Sequence, residues 1–214
     1  MKYNLIDLIK DIKIALNQNS TTSMMSSFGD VETLNLDKVV RSNIEDAARS
    51  VTANAHYTML DNGKELSSSI GWFQRRGYGG GSIELPSDFL RLSCFQMSDW
   101  SRAVYVPISE DSQEYAMQSS RYPGIRGCPQ KPVVSIVHQP VGLVLEFYSC
   151  TSGEHAYIKK ARYIPIPKIN GNEIEICEKL KPAVVCYTAF LVSVYLGEKD
   201  LSEMLLNKSK ELMS

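Results

Sequence analysis

The stretch GGGSIELPSDFLRLSCFQM (Gly79–Met97) marks a change of period in the chain. Before it, apolar residues recur at helical spacing. After it they alternate or run in short β-rich blocks, and past about Cys177 the helical spacing returns. Leu85-Pro86-Ser87-Asp88-Phe89-Leu90 is the hinge into the sheet. Pro86 has no N–H to give a central ladder, so a strand over Ser82–Leu85 ends there, and Ser87 or Asp88 opens one helical turn. Leu92, Cys94 and Phe95 lead into the next strand. The expected class is therefore α+β: N- and C-terminal helices forming a bundle, with a central antiparallel β insertion as a sheet or small barrel. The expected division is 1–70 with 175–214 as the helical part and 71–174 as the β-rich insertion.

Towards the N-terminus, Leu5, Ile6, Leu8, Ile9, Ile12 and Leu16 are the apolar residues of an amphipathic helix that Asn4 is expected to cap and Asp7 favours through the dipole. Asn17–Asp30 is polar and reads as a loop in which Met24, Met25 and Phe28 either tuck under the domain or wait for a partner. Leu36, Val40, Ile44, Ala47, Val51 and Ala55 define a second helix, and Ala47 and Ala48 permit close helix approach. Asp61-Asn62-Gly63 is a turn. Gly71–Gly81, GWFQRRGYGGG, combines five glycines with Trp72, Phe73, Arg75, Arg76 and Tyr78. Its aromatics either fold back onto the sheet or face a partner, since Trp, Tyr and Arg dominate interface energetics.

Towards the C-terminus, strands are expected over Ala103–Ile108, Val133–Val137, Leu143–Tyr148 and Ala156–Pro165, with a short helix over Glu110–Ser119. Gln139-Pro140-Val141-Gly142 joins two of the strands. Lys159, Lys160 and Arg162 give the last one a wet side. Glu173–Leu196 reads as a return to helix, with Pro182 in a first turn and apolar residues on nearly all sides, so that it is buried in its domain or between subunits. Gly197 is a C-cap, and Leu201, Met204, Leu205, Leu206 and Leu212 form a last amphipathic helix.

The 214 residues, 43% hydrophobic and 22% charged, belong to an ordinary folded chain. Twenty-three basic residues against 24 acidic ones, net −1, argue against a dedicated nucleic-acid binder. The five scattered cysteines read as reduced thiols of a cytosolic protein. Neither a signal peptide nor a membrane-spanning run is expected. His56, His138 and His155 fall in no HExxH or Cys-His zinc spacing, and there is no Gly-x-Ser-x-Gly elbow. The glycines up to Gly81 lack the Lys-Ser or Lys-Thr of a P-loop. The expectation is a protein that is not an enzyme, with no cofactor and no metal. The rival expectation is a small-ligand or nucleotide-binding α+β protein that uses Gly77–Gly81 to approach a phosphate.

The order of elements, with ELPSDFLRL (Glu84–Leu92) opening the β part and EKLKPAVVCYTAFLVSVYLGEKDLSEMLLNKSKEL (Glu178–Leu212) closing the chain, resembles the head–tail connector (adaptor, or ring) proteins of tailed bacteriophages. It is most like those of short-tailed phages, including the crAss-like phages. Such proteins share an aliphatic-Pro-x-Asp-Phe-Leu lead into a β domain. They end in an Ala-rich helix, a Gly-Glu turn and an amphipathic helix. The resemblance implies a structural virion protein at the head–tail junction, assembled in the host cytoplasm. It implies a homo-oligomeric ring, commonly of twelve copies, that joins portal to tail. Its implied partners are the portal protein, other connector or tail proteins, and double-stranded DNA passing through the lumen without sequence-specific binding. It implies no membrane partner. A tail-tube or stopper component is the related possibility. The interface candidates are Trp72, Phe73, Arg75, Arg76, Tyr78, Met24, Met25 and Phe28.

Overall fold

A computed structural model of the chain describes residues 1–19, 30–61, 63–66, 69–75, 78–150 and 156–214. In chain order these form β1 (Lys2–Asn4), α1 (Leu5–Asn19), α2 (Asp30–Asn54), β2 (Lys64–Glu65), β3 (Gly71–Arg75), β4 (Tyr78–Glu84) and β5 (Phe89–Met97). There follow β6 (Ile108–Ser109), α3 (Gln113–Met117), β7 (Val134–Gln139), β8 (Gly142–Cys150), β9 (Ile158–Pro165), β10 (Ile169–Asn170), β11 (Glu173–Glu175), α4 (Lys181–Tyr195) and α5 (Lys199–Met213). The fold is α+β, with three sheets among the described residues.

Two compact units result: 1–61 with 166–214, and 62–165. The limits differ from those expected, 70/71 and 174/175, because of two sets of strand pairs. Lys64 pairs with Tyr163, which draws 62–70 into the β unit. Ile169 pairs with Ile174 and Tyr3 with Ile174, which draws 166–174 to the helices.

In the first unit, α1 buries Leu5, Leu8, Ile12 and Leu16. An isolated 15-residue helix is marginal in water. Four buried aliphatic side chains at about 1.5–3 kcal/mol each outweigh that deficit, so docking rather than propensity makes α1 a helix. Asn4 does cap it, accepting from the Ile6 N–H at 2.9 Å. α2 contributes Val40, Ile44, Ala48 and Val51 to the same core, α4 contributes Ala183, Val184, Ala189 and Val192, and α5 contributes Leu201 and Leu205. α4 packs against α1, α2 and α5.

Two features of the α4 region differ from expectation. Glu173–Glu175 is a strand, because Ile174 alternates with polar neighbours and β1 supplies a ladder. Pro182 does stand in the first turn of the helix, as expected, with Lys181 before it as the first helical residue. The helix is also not covered on all sides: Val194 and Tyr195 are 54% and 74% exposed. It ends in a left-handed turn at Gly197 (φ +80°). The Gly197 N–H donates to Val194 O at 3.1 Å and the Glu198 N–H to Ser193 O at 3.0 Å, closing the last carbonyls.

In the second unit, β4 lies between β3 and β8 in the order β3-β4-β8-β7-β6, and β9 lies between β2 and β5. The two sheets share one core of Ile83, Leu92, Phe95, Met97, Trp100, Leu145 and Phe147. Phe95 packs on Phe147 and Trp100, with ring centroids 5.3 and 5.5 Å apart. Ala103–Ile108 is not the single strand expected. Val104 makes one bridge to Phe95, and past Pro107 the short β6 pairs in parallel with β7. A proline cannot continue a ladder on both edges, which divides the segment. Ser112 caps the start of α3, its hydroxyl accepting from the Tyr115 N–H.

Candidate interaction surface

β3 and β4 form the hairpin that carries most of the candidate residues. Trp72 pairs in register with Gly81, and Phe73 with Gly80. Consecutive strand residues point to opposite faces, and the two aromatics do so. Trp72 stands edge-on to Phe147 at 5.8 Å, and Phe73 lies 6.0 Å from Tyr148. Trp72 nevertheless remains 40% exposed. The fold-back reading holds for one edge of Trp72, and the rest of its ring is open to water.

The glycines opposite these rings are there for space. A Cβ on Gly80 would lie 2.5 Å from Phe147 O and 2.7 Å from the Phe73 ring, and one on Gly81 would lie 2.4 Å from the Phe147 ring. Gly79, Gly80 and Gly81 are buried within a paired strand, with β3 on one side and β8 on the other. Arg76, Gly77, Met24, Met25 and Phe28 lie outside the described residues. Arg75 and Tyr78 are placed as strand positions only.

Behind Phe73 lies a buried polar cluster that sequence reasoning missed. Glu146 is 5% exposed. Its carboxylate accepts from the Tyr148 hydroxyl, from Gln139 Nε2 at 3.1 Å and from the Tyr115 hydroxyl at 3.4 Å. Ser135 Oγ lies 3.0 Å from the Tyr148 hydroxyl. Burial, and then the carboxylate beside it, push the Tyr148 hydroxyl far above its usual value, so it stays a proton donor. A polar group at this depth is tolerated because it is hydrogen-bonded on several sides. The signal in the sequence was a lone Glu between Leu145 and Phe147 in an apolar strand.

The ELPSDF motif also has a physical role. Burial alone raises the Asp88 carboxyl. Hydrogen bonds from Lys64 Nζ (3.0 Å) and the Tyr163 hydroxyl (2.9 Å) outweigh that and hold it below its usual value. Asp88 thus ties β2 and β9 to the start of β5. Phe89, beside it, stacks on Tyr163 at 6.0 Å.

Two more exposed apolar groups went unrecognised as surface features. In the β unit, Tyr105, Val106, Tyr122 and Ile125 project from the segment between β5 and β7. In the helical unit, Val194, Tyr195 and Leu196 project at the end of α4. Single exposed apolar residues are ordinary, whereas contiguous exposed apolar patches mark contact surfaces. Among the described residues no group of three His, Cys, Asp or Glu is placed to hold a metal ion, and no helix is long and apolar enough to cross a membrane. The chain matches no protein-family model, and no curated protein matches it.

Proposed function

We propose that this chain is a structural virion protein of the head–tail connector. Copies form a ring that joins portal to tail and extends the DNA channel, with no catalytic step. The observation that carries the reading is the way the chain is laid out. Its two ends, 1–61 and 166–214, fold into one helical unit, and 62–165 forms a separate β unit inserted between them. ELPSDF stands at the turn between β4 and β5 within that insertion. This is the layout that the connector resemblance implies. A second support is the presence of exposed apolar groups on both units, as a protein built to contact neighbours needs.

The nucleotide-binding alternative is disfavoured by a specific observation. A phosphate cradle requires glycines whose backbone N–H groups are open to the ligand. Gly79–Gly81 instead lie buried inside the sheet, with Gly80 and Gly81 closed off by Phe73 and Phe147.

The test is a tagged copy recovered from its native source, with its companions identified by mass spectrometry. Recovery of a portal-like protein together with tail proteins is the expected result. Clean recovery without virion proteins, or with metabolic enzymes in their place, overturns the reading.

A further inference from the structure

The turn at Arg121–Arg126 and the corner between α4 and α5 have matching chemistry. Tyr122 is 70% exposed and Ile125 53%, with the exposed Arg121 beside them. The turn is preformed. The Ile125 and Arg126 N–H groups both donate to Tyr122 O, at 3.0 and 3.1 Å, and the Tyr122 N–H donates to Ser120 Oγ at 3.2 Å. A preformed turn loses little conformational entropy on docking. At the other surface, Val194, Tyr195 and Leu196 form an exposed apolar group. It is fixed by the Gly197 turn and followed by the exposed Glu198, Lys199, Asp200 and Glu203, three acids against one base. One surface is apolar with a cation at its edge, and the other is apolar with a net acidic edge.

We infer that these two surfaces bind each other between copies: the Tyr122 turn of one copy docks on the α4–α5 corner of the next. Charge selects this occupant. The β unit carries 11 basic and 9 acidic side chains, net +2, whereas the helical unit carries 12 and 15, net −3. Opposed potentials steer a β unit towards a helical unit and set β–β and helical–helical encounters against each other. Two different patches meeting in this way make a head-to-tail contact, which repeats from copy to copy and closes into a ring if the rotation allows. The contact deepens the ring reading and rests on it only for closure.

The experiment uses the full chain with a benzoylphenylalanine photo-crosslinker in place of Tyr122, mixed with an isotope-labelled second copy. The expected product joins residue 122 of one copy to a peptide spanning 194–203 of the other. Alongside it, Tyr122→Ala and Tyr195→Ala are each expected to weaken self-association about tenfold, as central aromatic anchors do. The double variant is expected to be hardly weaker than either single one, since both remove the same contact. Both side chains are largely in water, so folding is spared. The inference is overturned by crosslinks only within one copy, by crosslinks elsewhere, by additive effects, or by a chain that does not self-associate. Recovery of virion companions from the native source, alongside any of those results, leaves the connector role standing and removes this contact alone.

Discussion

Gly80 has no room for a side chain. The atom a Cβ would meet first, at 2.5 Å, is a backbone carbonyl oxygen in β8, which moves only if the sheet moves. Gly80→Ala is therefore expected to destabilise the protein by about 1–3 kcal/mol, as overpacking does. Equilibrium denaturation measures this, and an unchanged midpoint would show that the glycine is not there for space. Asp88 gives a prediction in pH. Its folded-state pKa lies below the unfolded one, so its contribution to stability is present above the unfolded value, ~4. It is lost as pH falls through the folded value. Asp88→Asn is expected to lower the melting temperature at pH 7, with the gap to the parent closing below about pH 4. A gap that persists at low pH would place the effect elsewhere. The glycine run was visible in the sequence, but its purpose was not. Only the register of β3 on β4 and β8 shows that aromatic rings occupy the Cβ positions.

Among the elements, α1, α2 and α5 were legible because each carries one apolar stripe that a core selects. The β7–β8 hairpin was legible as well, and its two-residue turn ends at Gly142 (φ +124°). The elements misread are those made by distant partners. β11 is three residues long and exists because β1, about 170 residues earlier, lies beside it. β6 is two residues long and pairs in parallel, which no local pattern announces. The polar cluster on β8 is likewise a tertiary product, since its members come from α3, β7 and β8. Its role is tested with Tyr148→Phe, which removes one donor from Glu146 and leaves the ring in place. The expected loss is about 1–3 kcal/mol, the cost of a buried acceptor deprived of a partner. A neutral Tyr148→Phe together with a destabilising Glu146→Gln would assign the cluster's value to the other donors.

At the scale of the whole molecule, each unit has its own core, one built on α4 and the other on Phe95 and Phe147. The strands nearest the two ends of the β unit, β2 and β9, pair with each other. Excised residues 62–165 are therefore expected to fold alone and to give a dispersed amide spectrum in solution. A collapsed spectrum would mean that the β unit needs the helices. Residues 1–61 alone are expected to stay unfolded, because α4 and α5 supply part of their core. The α+β class was readable from the changes of period at either side of the β part. The limits of the units were not, because they depend on which short strands pair across the chain.

The connector role itself is tested most directly by locating the chain in intact particles. A short peptide tag on the C-terminus, labelled with gold and viewed by electron microscopy, is expected to mark a single vertex between head and tail, with several grains per particle. Particles without label, or gold spread over the capsid or confined to the cytoplasm, would contradict the account.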